Sequence, residues 1–166
     1  MSKKSQQVQL NLAKQNFKFS AAHFLIFDDK NAEKLHGHNY QVQVDLEVSS
    51  DVDFSEQGYF VDFNVFKKSI KAQLDLWDEH VLLPAQQKEM KFTSAGNQLN
   101  VTFRDRQYSF PKDEVHLLEV TNTSTEQLAA LLAHLFFDQF QSYGISSITV
   151  RVEETPGQGA SVRVSS

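Results

Sequence analysis

The chain has 166 residues, 16 of them basic and 21 acidic, for a net charge of −5, and it contains no cysteine. This length suits one domain, and the mild acidic excess lacks the clustered Lys and Arg of a nucleic-acid footprint. Without thiols there can be no disulfide, no thiolate metal ligand and no cysteine nucleophile, so any zinc site must use His and carboxylate ligands, which favours an open catalytic site over a closed structural one.

Met1 to Gln7 is polar and has no apolar core, so it does not read as a signal peptide. No run approaches the ~18 apolar residues of a membrane span. The expected location is cytoplasmic, with no membrane partner. From Val8 the sequence alternates through Leu10 and Leu12, then changes register and resumes through Phe17, Phe19, Ala21 and His23. Period two predicts a strand, with a bulge near Ala13 to Gln15. Asp28 to Lys34 is polar and reads as a loop. The next strand is the cleanest in the chain: His38, Tyr40, Val42, Val44, Leu46 and Val48 share one face, and Asn39, Gln41, Gln43, Asp45 and Glu47 the other. That is the pattern of a half-buried antiparallel strand. Ser49 to Gly58 is turn-like.

Phe66, Ile70, Leu74 and Trp77 form the stripe of an amphipathic helix, with Asp62 or Asn64 available as its cap. Pro84 ends the segment that follows. Within 85–120, Leu99, Val101 and Phe103 alternate, Asp105 and Arg106 can turn, and Tyr108 and Phe110 resume, which predicts a hairpin on an excursion from the core. His116 to Val120 reads as one more short extended piece. Leu128, Leu131, Leu132, Leu135, Phe136 and Phe140 predict a second helix, opened by a capping box of Thr123 and Glu126. Two strands close the chain, through Ile148, Val150, Val152 and Glu154 and then Ala160, Val162 and Val164, joined by a turn over Pro156 to Gly159. The order β-β-α-(hairpin)-α-β-β predicts an α+β domain over 1–166, with two helices on one face of an antiparallel sheet.

His36-Gly37-His38 carries the first chemical signal. Two residues apart on a strand, the imidazoles point to one face with Cα atoms ~6.6 Å apart, close enough for both to reach a metal at ~2.0–2.1 Å. Gly37 between them leaves room for close approach. His23 falls on the inward face of the preceding strand, so pairing of the two strands would bring three histidines together and leave a fourth metal position open. The plainer alternative is two half-exposed histidines at a loop end and one core histidine. Glu154 shares the face of Val150 and Val152, where a carboxylate is costly unless it is paired or binds a ligand; a ligand edge with two adjacent N–H donors would suit it. Alternatively the strand has ended there and Glu154 is exposed, like its solvated neighbour Glu153. Asp78-Glu79-His80 could form a proton relay or simply a charged helix end. Glu126 is explained by its cap alone.

Taken together, FSAAH (19–23), LHGHNYQVQV (35–44), VDF (61–63), DEHVLLP (78–84), TSTEQLA (123–129) and VEET (152–155) resemble the 6-pyruvoyl-tetrahydropterin synthase family, which includes 6-carboxytetrahydropterin synthase. The resemblance spans Phe17 to Val164. It implies a tunnelling fold, with 85–120 as a family-variable insertion. Subunits of that fold form trimers whose sheets close a barrel, and trimers stack as hexamers, with active sites between subunits. It implies that His23, His36 and His38 bind Zn2+, that Glu154 anchors the N–H edge of a pterin, and that Thr125 and Glu126 border the pterin pocket.

Two departures matter. The catalytic Cys of the carboxytetrahydropterin-type members stands four residues before the first His of HGH, and that position here is Ala32; Glu33 follows it. The form EKLHGH resembles a subgroup that includes the malarial-type enzyme, which cleaves the side chain of 7,8-dihydroneopterin triphosphate to 6-hydroxymethyl-7,8-dihydropterin, a folate precursor. The family's Asp-His relay is also altered, because Glu79 separates Asp78 from His80: matched on the His, Glu79 takes the Asp place, and matched on the Asp, Glu79 takes the His place, so either carboxylate is open as the partner of His80. The resemblance thus implies a zinc-dependent lyase with Glu33, Asp78 and His80 as catalytic groups. The alternatives are 6-carboxy- or 6-pyruvoyl-tetrahydropterin synthesis (the former serving queuosine formation), a non-catalytic pterin-binding homologue, or a zinc-stabilised structural subunit.

Overall fold

The fold is built around one long strand, β3 (His36–Val48), in a computed structural model that describes residues 7–49 and 57–166. Its alternation buries Tyr40, Val42, Val44, Leu46 and Val48 to 2% exposure or less, while the polar residues between them are half-exposed. β1 (Val8–Leu12) and β2 (Lys18–His23) both lie antiparallel along one side of β3. Leu12 pairs with Val44 and Lys18 with Gln41, so residues 13–17 stand opposite 42–43 alone. The expected bulge is there, enlarged into a turn. On the other side of β3 lie β9 (Ile145–Thr155) and β10 (Gln158–Ser165). Most of the expected turn at 49–58 and all but Gln7 of the polar start fall outside the described residues.

The sheet order is β10-β9-β3-β2-β4-β8, where β4 (His80–Pro84) runs parallel to β2 and β8 (Val115–Leu118) parallel to β4. The sheet is therefore antiparallel in its main body and parallel at one side. Alternation reports which face a residue occupies, not the direction of the strand beside it, so these short pairs were not readable from pattern.

α1 (Asn64–Asp75) buries Phe66, Ile70 and Leu74 against the sheet, and Trp77, just past its end, is 3% exposed. Neither expected cap occupies the N-cap of α1, which is Phe63 with no side-chain cap bond; Asp62, one residue before it, accepts from the Asn64 N–H at 2.9 Å. α2 (Thr125–Phe140) is capped one residue later than expected: Ser124 Oγ accepts from the Gln127 N–H at 3.4 Å. Thr123 is drawn into the core instead, where its hydroxyl donates to the Phe24 carbonyl at 3.3 Å. Both helices share the main core with the sheet, the α+β arrangement of a tunnelling fold. Among the described residues no helix is long and apolar enough to cross a membrane.

The excursion forms a separate three-stranded antiparallel sheet of β5 (Met90–Ala95), β6 (Gln98–Phe103) and β7 (Arg106–Pro111). The predicted hairpin is β6–β7. β5 escaped prediction because Lys91, Thr93, Ser94 and Ala95 carry too little apolar alternation. This layer has a core of its own, in which Phe24, Leu83, Met90, Leu99, Val101 and Phe103 are buried together.

Near the candidate site, β10 comes unusually close to β9. A Cβ on Gly159 would stand 2.1 Å from the Val152 carbonyl oxygen and 2.7 Å from the Glu153 Cα. Both are backbone atoms and cannot swing aside. Gly159→Ala should therefore cost about 1–3 kcal/mol in urea unfolding, the range for overpacking; an unchanged midpoint would show that this approach relaxes freely.

Candidate metal centre

Strand register brings the three predicted histidines together. His23 pairs directly with His36, and Ala21 with His38, so residues far apart in sequence meet at one end of β2 and β3. The ring centroids are 5.0 Å apart for His23–His36, 5.3 Å for His23–His38 and 4.8 Å for His36–His38. One nitrogen from each lies within 4.8 Å of the others, a group able to hold a metal ion.

The hydrogen bonds select the tautomers. His23 Nδ1 lies 2.9 Å from the Thr123 carbonyl, which can only accept, so the proton is on Nδ1 and Nε2 keeps its lone pair. That Nε2 is buried and has no partner among the described residues. His36 Nδ1 likewise donates to the Lys34 carbonyl at 2.8 Å, which leaves its Nε2 basic and 2.9 Å from His38 Nε2. An orphaned nitrogen beside two crowded ones is a donor set that a cation satisfies, and carbonyls on the far ring nitrogens are the usual means of orienting histidine ligands. Burial is the main force holding the His23 pKa below its ordinary value; His36 and His38 push the same way, and the Thr123 carbonyl and Glu33 oppose them. The imidazole is thereby kept neutral, the form that binds metal.

Two carboxylates flank the trio. Glu33 Oε2 is 3.8 Å from His36 Nε2 and accepts from the Leu25 N–H at 2.9 Å. Glu154 Oε2 is 3.9 Å from His38 Nε2, and its other oxygen accepts from Gln158 Nε2 at 2.6 Å. The Glu154 side chain is 16% exposed, so β9 continues through it rather than ending before it. Glu153 is not a free solvated neighbour: it accepts from Arg151 Nε at 2.9 Å. Tyr40, an ordinary inward residue by pattern, forms the floor. Its ring lies 5.8 Å from those of His23 and His38, and its buried hydroxyl has no partner among the described residues. Burial, then Glu154 and Glu33, push its pKa upward, so the phenol stays neutral.

None of the other predicted residues hydrogen-bonds to the three histidines. Asp78 Oδ1 accepts from the Ser20 N–H at 2.7 Å, and His80 Nδ1 lies 2.6 Å from the Asp78 main-chain carbonyl, so neither Asp78 nor Glu79 offers His80 its carboxylate within the chain. The neighbouring ring of His80 is His116, at 6.3 Å. Glu79 sits at φ 59°, in the left-handed region, with its N–H donating to the Ser20 carbonyl at 2.7 Å. Glu79 and His80 line a cleft of about 330 Å³ together with Ser20, Gly37, His38 and Asn39, so one histidine of the trio borders the same cleft. Thr125 and Glu126 open α2, just beyond the Thr123 carbonyl that orients His23. Gly37 is not needed for close approach within the chain, since a Cβ there would meet the Ala21 carbonyl oxygen at an ordinary 3.5 Å. The carbonyls of Thr123 and Lys34 escaped sequence reading because any residue type supplies a carbonyl.

A three-histidine centre with an open side, set at strand ends and flanked by two carboxylates, is the form of metal site that enzymes use for catalysis. The family model described as 6-pyruvoyl tetrahydropterin synthase matches residues 12–165, and the chain belongs to that family, whose members are pterin-binding enzymes of the tetrahydropterin synthase class. It is 30% identical over 159 residues to a Methanocaldococcus jannaschii protein provisionally named 6-carboxy-5,6,7,8-tetrahydropterin synthase, covering 94% of this chain and 95% of that one. The crystal structure of Plasmodium vivax 6-pyruvoyl tetrahydropterin synthase superposes with a TM-score of 0.87 at 26% identity, covering 97% of this chain and 99% of that one. Two variants of the P. vivax protein, in which a glutamate named as a catalytic residue is replaced by Cys or Ala, match equally well. The Plasmodium falciparum 6-pyruvoyl tetrahydropterin synthase superposes at 0.86 with 27% identity, covering 98% of this chain and all of that one (100%).

Proposed function

We propose that the protein is a zinc-dependent lyase that converts 7,8-dihydroneopterin triphosphate to 6-hydroxymethyl-7,8-dihydropterin. One observation carries this reading: where relatives place a catalytic thiol the chain has Ala32, which packs against the second core, while the carboxylate of the next residue, Glu33, stands 3.8 Å from His36. The glutamate named as catalytic in the P. vivax protein supports the same role here.

A zinc ion held by His23, His36 and His38 would supply a Lewis acid that acidifies the side-chain hydroxyls of the substrate. Glu154 takes the N–H edge of the pterin ring and sets the side chain towards the histidines, so its contribution is positional. Thr125 and Glu126 border the ring. Glu33 accepts the proton of the second side-chain hydroxyl. The bond between the first two side-chain carbons then breaks, the second carbon becomes an aldehyde, and the electron pair passes into the pterin ring. A proton delivered to the first carbon completes the hydroxymethyl group. His80, with Asp78, is the proposed source of that proton. Neither carboxylate of the relay bonds His80 within the chain, which, with the family resemblance, supports a site completed by a second copy, in a trimer or hexamer with active sites between subunits.

The name of the M. jannaschii relative favours a second reading, 6-carboxytetrahydropterin synthesis. The absence of any cysteine weighs against it. Zinc-loaded protein given 7,8-dihydroneopterin triphosphate should release 6-hydroxymethyl-7,8-dihydropterin on chromatography. Release of 6-carboxy- or 6-pyruvoyl-tetrahydropterin alone would overturn the proposal, and pterin binding without any turnover would point to a non-catalytic homologue.

A further inference from the structure

The loop between β2 and β3 carries Glu33, and it is not anchored by the main sheet alone. It closes on itself through an isolated bridge between Ile26 and Ala32 and through the Glu33 N–H, which donates to the Leu25 carbonyl at 2.8 Å. Its apolar residues Ile26, Ala32 and Leu35 pack on the core of the β5–β7 sheet. From that sheet Arg106, the first residue of β7, reaches back to the loop. One guanidinium nitrogen donates to the Glu33 carbonyl and the other to the Ala32 carbonyl, the latter at 3.1 Å. The guanidinium lies 5.8 Å from the rings of both Phe24 and Phe103, which confine it on its apolar sides.

A guanidinium is a rigid planar fork, and donating to two successive carbonyls fixes the peptide between them as a flexible ammonium would not. The fork grips the main chain of Glu33 while the Leu25 N–H grips its carboxylate. Backbone and side chain of one residue are thus both held, and the oxygen that accepts from the Leu25 N–H, Oε2, is the one fixed 3.8 Å from His36 Nε2.

We propose that Arg106 is a positioning residue for Glu33, and that the β5–β7 sheet is a brace that holds the acid–base loop against the metal centre. This rests on the reading of Glu33 as the acid–base group. Arg106 touches neither the histidines nor the proposed substrate position, so its effect runs through the loop.

The test compares kcat, KM and bound zinc for Arg106→Met and Arg106→Lys, each made in the wild-type and in the Glu33→Ala background, with 7,8-dihydroneopterin triphosphate as substrate. Arg106→Met should lower kcat about 10- to 100-fold, as loss of groups that orient active residues does, with KM within about twofold and zinc content unchanged. Arg106→Lys, which keeps one donor, should lose less, and it is the variant to use if Arg106→Met does not fold. In the Glu33→Ala background neither change should slow the residual rate further, because the group being positioned is gone. A loss of zinc, a rise in KM at unchanged kcat, or the same fold-loss in both backgrounds would overturn the proposal. If Glu33→Ala is impaired and both Arg106 variants are not, the brace alone is refuted. If Glu33→Ala itself turns over normally, the reading of Glu33 falls first and the brace with it.

Discussion

Replacing Glu33 with alanine should lower turnover by about 10²–10⁴-fold, the usual contribution of a positioned acid–base group, while the zinc content stays the same. The two halves of this result test different things. Glu33 is the carboxylate nearest His36, at 3.8 Å, but it is not part of the three-nitrogen donor set, so its removal leaves the metal ligands intact. Its loss also frees the Leu25 N–H, which is half-buried and can be reached by water, so the cost in stability should be small. Metal analysis beside steady-state kinetics separates the outcomes. Turnover at the wild-type rate would remove Glu33 from the chemistry; loss of zinc would make it a ligand instead.

The second large effect is expected at His23. Outer-shell partners of metal ligands are already worth about 10–100-fold in affinity, so His23→Ala, which deletes a ligand outright, should weaken zinc binding by more than about 100-fold. His23 is also the most buried member of the trio, at 1% exposure, and its free nitrogen has no partner among the described residues. Metal present at a thousandfold over its Kd stabilises the folded chain by about 4 kcal/mol, which for a domain of this size corresponds to about 8–16 °C in Tm. A chelator should therefore lower the Tm of the wild type by about that amount and that of His23→Ala by no more than about 3–6 °C, the value for metal at tenfold over a Kd weakened 100-fold. Equal chelator shifts in the two proteins would place the metal elsewhere.

The centre was largely legible because its geometry follows from strand periodicity. Two histidines at i and i+2 must share a face, and His23 has the inward parity of Phe17 and Phe19. Only the pairing of β2 with β3 had to be assumed, and the observed register supplies it directly. Glu154 was legible for the same reason. What stayed hidden depends on contacts that no local pattern encodes. The carbonyls orienting His23 and His36 come from Thr123 and Lys34, whose side chains say nothing about them. The choice between Thr123 and Ser124 as the cap of α2 is decided by the burial of Thr123, a tertiary effect that overrides the local motif. The parallel pairs at β4 and β8 and the grip of Arg106 on a loop more than seventy residues earlier are likewise long-range. Asp78 and His80 read as a relay from sequence order alone, but in the chain the carboxylate serves the Ser20 N–H.

The proposed reaction requires the bond between the first two side-chain carbons to break. The fate of the phosphates reports on it most directly. Cleavage there carries the triphosphate away on a two-carbon aldehyde, whereas formation of the pyruvoyl side chain expels inorganic triphosphate. Phosphorus NMR of a complete turnover of 7,8-dihydroneopterin triphosphate should show the triphosphate still esterified, in one-to-one yield with 6-hydroxymethyl-7,8-dihydropterin. Free inorganic triphosphate released in step with pterin product would contradict it.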